Sequence, residues 1–150
     1  MDHSVLAGEL FHRGYNCSQA VLLAFSDVTG LDENQAAALA SSFGGGMGRL
    51  REVCGAVSGA FMVAGLLWGS CSPDDRDKKA RHYELIQSLA ARFKEENGSF
   101  ICRELLGLPG ASAPVPEERT AVYYSRRPCE EYVKIAARIL DDVINEREKV

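Results

Sequence analysis

Several features that would identify a function directly are missing from this 150-residue sequence. It has no excess of positive charge: 17 Lys and Arg stand against 21 Asp and Glu, for a net charge of -4. This balance excludes a globally basic nucleic-acid binder and gives no reason to expect attraction to anionic lipid. There is no Ser–His–Asp signature, paired-carboxylate motif, internal repeat or low-complexity tract. Five cysteines, by contrast, are many for this length, and they have to be explained.

The first residues, MDHSVLAGELFHRG, lack the charged segment and apolar stretch that mark a secretory signal. We therefore expect a cytoplasmic protein, in which cysteines serve metal or redox chemistry more often than structural disulfides. Residues 53–73 carry no charge and are just long enough to span a bilayer. Because this stretch contains four glycines, three serines and Cys71, we expect a buried central helix and no membrane span.

Apolar residues recur at helical spacing almost everywhere, and only residues 121–124 show weak strand character. Asn16 with Gln19, and Asp32 with Gln35, are capping pairs typical of helix starts. The sequence therefore predicts an all-α fold: one domain over residues 1–150, a compact bundle of about six to seven helices around a central helix rich in small residues. Further predicted helix starts are Ser4, Ser72 with Pro73 in the first position, Ser99 and Pro128.

Small residues repeat every four positions along the central helix, as Gly55 and Gly59 and as Ala56, Ala60 and Ala64. The pattern favours close packing against a neighbouring helix, with room kept beside a reactive group at Cys54 as the alternative. The preceding glycine loop, residues 44–48, lacks the lysine and serine or threonine of a phosphate-binding P-loop. We interpret it as a flexible turn that lets helices pack.

Three cysteines are predicted in the first turn of a helix. Cys17 and Cys129 directly follow predicted helix starts, and Cys102 lies three residues after Ser99. Unpaired N–H groups and the helix dipole stabilise a thiolate there by roughly 0.3–1 kcal/mol, which lowers the thiol pKa. Nearby arginines would act in the same direction, namely Arg49, Arg51, Arg103, Arg126 and Arg127.

Cys54 is expected one to two turns into the central helix, counted from the glycine loop. Because Cys17, Cys102 and Cys129 lie on apolar stripes, they could converge with Cys54 around one internal site. The alternative, which the spacing leaves equally open, is that these thiols only pack as small hydrophobic groups. Cys71 lies in a predicted turn, and we expect it to have no special role.

The cysteine spacing excludes two common sites. There is no C-x-x-C sequence, so neither a zinc-ribbon knuckle nor a thioredoxin-like redox motif is present. Any cluster of these thiols must be built by the fold. Four cysteines allow three disulfide pairings, and the sequence does not choose among them.

Several segments in order resemble the redox-active family named for its C_GCAxxG_C_C pattern. The resemblance covers nearly the whole chain, although Val53 stands where the family name writes a glycine. It implies that Cys17, Cys54, Cys102 and Cys129 are the four motif cysteines, that Cys71 lies outside the pattern, and that the protein is associated with a transporter. The matching segments are residues 15–18, the glycine loop, CGAVSG at 54–59, residues 98–99 and 102–107, and residues 128–129.

Three functions from different classes follow. The favoured one is thiol–disulfide chemistry with an unidentified redox partner, in which Cys54 attacks and another motif cysteine resolves the mixed disulfide. An oxidoreductase-like activity would fit this chemistry. The second is a metal ion or iron–sulfur cluster with Cys17, Cys54, Cys102 and Cys129 as ligands. The third is a non-catalytic, transporter-associated helical module whose cysteines only pack.

Overall fold

The computed structural model describes residues 2–149 and is helical through most of them. Met1 and Val150, the two ends of the predicted 1–150 domain, lie outside the described residues. The all-α prediction is confirmed. Nine helices follow one another in the described part: α1 (His3–His12), α2 (Cys17–Ala24), α3 (Ser26–Thr29), α4 (Glu33–Ala40), α5 (Gly55–Trp68), α6 (Arg76–Asn97), α7 (Cys102–Leu106), α8 (Ala121–Arg126) and α9 (Cys129–Glu148).

Helix α5 is the central helix that the small-residue pattern predicts. It packs against α2, α6 and α9, and most of its first ten residues are buried. Its 14 residues span about 21 Å, short of the roughly 30 Å hydrocarbon core of a bilayer. No helix of residues 2–149 combines the length and the apolar character needed to cross a membrane.

The glycines of α5 set its distance from α2. A Cβ added at Gly59 would lie 2.8 Å from the carbonyl oxygen of Ser18, and one at Gly55 would lie 3.0 Å from the Cβ of Cys17. Larger side chains at either position would therefore push the two helices apart. Close packing is thus what the small residues provide, and at Gly55 it brings α5 against a cysteine.

Several predicted helix starts are wrong by a few residues. The cap of α1 is Asp2, whose carboxylate accepts from the Ser4 N–H at 3.0 Å. Helix α6 is capped by Asp75, so Pro73 precedes the helix. Ser99 lies ahead of α7, and its hydroxyl accepts instead from the Ile101 N–H. At α1 and α6 a nearby aspartate makes the capping hydrogen bond, and α7 begins without a side-chain cap.

Two short helices, α3 and α8, are absent from the sequence prediction. The weak strand character of residues 121–124 is overridden in α8, because the Thr120 hydroxyl accepts from the Tyr123 N–H and caps a helical turn. Leu39 of α4 is 52% exposed although its spacing places it on the apolar stripe. The predicted caps at Asn16 and Asp32 are confirmed, and α6 ends at Gly98 in the left-handed conformation.

A buried histidine ties three helices together. His3 of α1 is 5% exposed, and its ring lies between two carboxylates. Its Nδ1 is 2.6 Å from Asp141 of α9, its Nε2 is 2.9 Å from Asp27 of α3, and the ring stacks on Phe25. The His3 backbone N–H also donates to Asp141 at 3.0 Å. The start of the chain is therefore fixed to its last helix by a polar cluster.

The close contact at Gly59 predicts that a Gly→Ala substitution has opposite effects on stability at two positions of α5. Gly59→Ala should lower the free energy of unfolding by about 1–3 kcal/mol, because the added methyl group overlaps Ser18. Gly65→Ala, where the methyl group meets nothing within 4 Å, should raise it by about 0.5–1 kcal/mol. Urea denaturation followed by circular dichroism measures both. Equal effects would contradict the close contact.

The His3 cluster predicts a difference between two adjacent aspartates. Asp141→Asn removes a carboxylate paired with the buried imidazole and should cost about 1–3 kcal/mol of stability. Asp142→Asn is the matched control: its side chain is 54% exposed, so a change below about 0.5 kcal/mol is expected. The same denaturation experiment at neutral pH compares them, and equal losses would show that the cluster does not hold α9.

Candidate functional site

A cavity of about 280 Å³ lies where four helices begin. Each of these helices contributes one cysteine to its wall. Cys17, Cys102 and Cys129 are the first residues of α2, α7 and α9, and Cys54 is the residue just before α5. The structure thus brings together all four cysteines that the sequence singles out. Cys71 is exposed and lies outside the cavity wall.

The predicted place of Cys54, one to two turns into the central helix, is wrong. Residues 52–54 precede the helix and run beside residues 100–102. The Cys54 N–H donates to the Phe100 carbonyl at 2.9 Å, and the Cys102 N–H donates to the Glu52 carbonyl at 2.6 Å. An isolated antiparallel bridge between Val53 and Ile101 lies between these bonds. This pairing fixes Cys54 and Cys102 at one side of the cavity.

The glycine loop forms another part of the wall. Five successive residues, 45–49, have left-handed backbone angles, with φ between 58° and 69°. Non-glycine residues adopt this conformation at a cost, and here Met47, Arg49 and Arg51 all do. A Cβ at Gly46 would lie 2.6 Å from the Cβ of Cys102. We expected this loop to be a flexible turn. It is instead a close-packed segment of left-handed residues, and Arg51, which follows it, lies in the cavity wall.

Cys17 and Cys129 both line the cavity, and each thiol shifts the pKa of the other. The hydrogen bond from Cys17 and the positive charges of Arg127, Arg51 and Arg119 lower the pKa of Cys129, against the opposing effect of burial. The same contact, together with burial, raises the pKa of Cys17 well above its ordinary range. When the pair loses a proton, Cys129 is therefore the thiol that ionises, and Cys17 keeps its proton.

The other two thiols are held in their neutral form. Burial raises the pKa of Cys54 to about 12, although the backbone N–H groups of Ala56 and Val57 act against this. Burial also raises the pKa of Cys102, although the Arg51 guanidinium donates to its Sγ at 3.6 Å. The lowered pKa predicted for thiols in the first turn of a helix is therefore wrong for Cys102, where burial raises it, and for Cys17, where the contact with Cys129 and burial raise it.

A strap formed by residues 112–119 completes the cavity. Arg49 Nε donates to the Ala113 carbonyl at 2.6 Å, and Arg51 Nε donates to the Ser112 hydroxyl at 2.9 Å. Glu117 and Arg119 of the strap line the cavity. Arg119 also donates to backbone carbonyls of residues 11 and 15, both at 3.0 Å, which joins the strap to the end of α1.

Glu117 and Arg119, the strap residues of the site, were not predicted from the sequence. Glu117 and Arg119 stand in a proline-rich connection with no helical pattern and no cysteine nearby. Arg119 reaches its carbonyl partners across more than 100 residues of sequence. No local pattern signals such a contact. The arginines near the cysteines, Arg51 and Arg127 among them, were recognised, and both line the cavity.

The arrangement suits thiol chemistry more directly than metal binding. In the described part of the chain, no three or more Cys, His, Asp or Glu side chains are placed so that they could hold a metal ion together. The four-cysteine ligand set predicted from the sequence remains a prediction. The site contains two buried thiols that stay neutral, Cys54 and Cys102. It also contains the Cys17–Cys129 pair, in which Cys129 has the lower pKa.

A scan of protein families finds one model, described as "Putative redox-active protein (C_GCAxxG_C_C)", which matches residues 15–143. The match includes all four cysteines of the cavity and the strap. No curated protein and no solved structure matches the chain.

The pair predicts that Cys129 reacts at lower pH than an ordinary thiol. The pH at which its alkylation by iodoacetamide is half-maximal should lie below 9.0, because the thiolate is the reacting form. Cys17→Ala should move this midpoint upward, since it removes the hydrogen bond to the thiolate, whereas Cys71→Ala should leave it unchanged. Peptide mass mapping over a pH series measures the midpoint. A midpoint at or above 9.0 that Cys17→Ala does not move would contradict the pairing.

Proposed function

Because the chain belongs to the C_GCAxxG_C_C family of redox-active proteins, we propose that it carries out thiol–disulfide exchange in the cysteine-lined cavity. The observation that supports this most is the convergence of four cysteines on one cavity, in which Cys17 acts on Cys129 and lowers its pKa. Exchange requires one thiolate and a second thiol within reach of it. This pair provides both.

The proposal gives the attacking role to Cys129 and the resolving role to Cys17. The Cys129 thiolate attacks one sulfur of a disulfide R–S–S–R′, so that a Cys129–S–S–R bond forms and R′–S⁻ leaves. Cys17 then loses its proton and attacks the Cys129 sulfur, which releases R–S⁻. The two cysteines lose two electrons in total, and the disulfide is reduced to two thiols, which take one proton from Cys17 and one from water.

Cys54 has a supporting role in this proposal. The sequence favours it as the attacking cysteine, but at a pKa of about 12 its thiolate would be rare at neutral pH. Cys54 and Cys102 are buried, at 4% and 6% exposure, whereas Cys17 and Cys129 are partly exposed. Either could exchange with the Cys17–Cys129 disulfide after it forms.

A trapping experiment with hydroxyethyl disulfide, a small uncharged disulfide, tests the assignment. All variants carry Cys71→Ser, which removes the exposed thiol outside the cavity. Cys17→Ser should accumulate a mixed disulfide on Cys129, because the resolving thiol is gone. The parent should pass on to an internal disulfide, and Cys129→Ser should form no adduct in the cavity. Intact mass and peptide mapping distinguish these products.

Other results would support different functions. An adduct on Cys54 in the Cys17→Ser protein would return the attacking role to Cys54. No adduct on any cavity cysteine would favour the packing module. Extra mass in the native protein that is lost on denaturation would identify a bound metal or cluster and replace the proposal.

A further inference from the structure

A positive charge is buried in the cavity wall without a carboxylate partner. Arg51 is 5% exposed, and its guanidinium donates to the Ser112 hydroxyl at 2.9 Å and to the Cys102 sulfur at 3.6 Å. No ion pair among residues 2–149 includes it. A guanidinium taken out of water is destabilising unless an opposite charge compensates it.

The rest of the cavity increases this imbalance. Four arginines line it, and among the described residues Glu117 is the one carboxylate that does. Glu117 already pairs with Arg127 at 2.5 Å and lies 3.5 Å from Arg126, which is outside the wall. The other cavity arginines are Arg49, Arg51 and Arg119. Even with Cys129 as a thiolate, the wall therefore keeps more positive charge than negative.

The unpaired charge lies beside the reacting sulfur. Arg51 contacts Cys102 and is close enough to Cys129 to stabilise its thiolate. A bound molecule that reacts at Cys129 would therefore have a guanidinium within reach of its other end. The volume of about 280 Å³ suits a small molecule and not the surface of a folded protein.

We propose that the cavity takes a small thiol or disulfide that carries an anionic group, and that Arg51 binds this group while the sulfur meets Cys129. The substrate class rests on the proposed function. Guanidinium groups bind carboxylates and tetrahedral oxyanions alike, through paired N–H donors. Carboxylates and tetrahedral oxyanions share a negative charge, and this charge is what Arg51 would bind.

Two alkylating reagents that differ in charge test the anion site in the reduced wild-type protein. Iodoacetate and iodoacetamide both transfer a carbon to the thiolate with loss of iodide, but only iodoacetate carries a carboxylate. Because both consume the same thiolate, the ratio of their rates does not depend on its pKa. Exposed Cys71 is the internal reference, and peptide mass mapping gives each rate separately.

The iodoacetate-to-iodoacetamide ratio should be about tenfold higher at Cys129 than at Cys71, as expected for one charge-assisted contact. Arg51→Gln should bring the ratio at Cys129 down to that at Cys71. Arg92→Gln is the control, because Arg92 pairs with Glu146 at 2.8 Å and does not line the cavity; it should leave the ratio unchanged. A wild-type ratio at Cys129 no higher than at Cys71 would overturn the proposal.

A measurement on the wild-type protein covers the case in which Arg51→Gln does not fold. Acetate or sulfate, compared with chloride at equal ionic strength, should slow iodoacetamide at Cys129 and not at Cys71. Protection by acetate identifies a carboxylate site, and protection by sulfate identifies a site for a tetrahedral oxyanion. Protection by neither overturns the anion site. Failure of Cys129 to react with either reagent at neutral pH would instead contradict the proposed function itself.

Discussion

The contact between α2 and α5 is the constraint on which the site depends. Only glycine at positions 55 and 59 lets these helices approach closely enough for Cys17 to lie beside the start of α5. The same start carries Cys54, and α9 packs on both helices with Cys129 as its first residue. The motif glycines and motif cysteines are thus parts of one arrangement, in which backbone contact sets where the sulfur atoms lie.

Electrostatics then divides the four thiols into two kinds. Cys54 and Cys102 lie deepest, and desolvation keeps them protonated. The hydrogen bond from Cys17 lowers the pKa of Cys129, and the positive charges of Arg127, Arg51 and Arg119 act in the same direction. A helix start by itself stabilises a thiolate by only a few tenths to about 1 kcal/mol. Cys17, with Arg127 just before α9, Arg51 after the glycine loop and Arg119 of the strap, therefore decides that Cys129 ionises first.

The sequence predicted the helices because they depend on local patterns. Capping residues such as Asn16 and inward stripes on α2 and α9 are readable from spacing of three and four; the stripes made a cysteine convergence possible without deciding it. The sequence misplaced Cys54, because the pairing of residues 52–54 with 100–102 depends on a partner some fifty positions away. It missed Arg119 for the same reason. The left-handed run at residues 45–49 includes Met47 and Arg49, whose conformation tertiary contacts impose against their own preference.

The most direct test of the account is to locate the disulfide that forms first when the reduced wild-type protein is mildly oxidised. Intact mass should show the loss of two hydrogens, reversed by reductant, and peptide mapping should find a Cys17–Cys129 link. A first link through Cys54 or Cys102, or a protein that keeps all its thiols under these conditions, would contradict it.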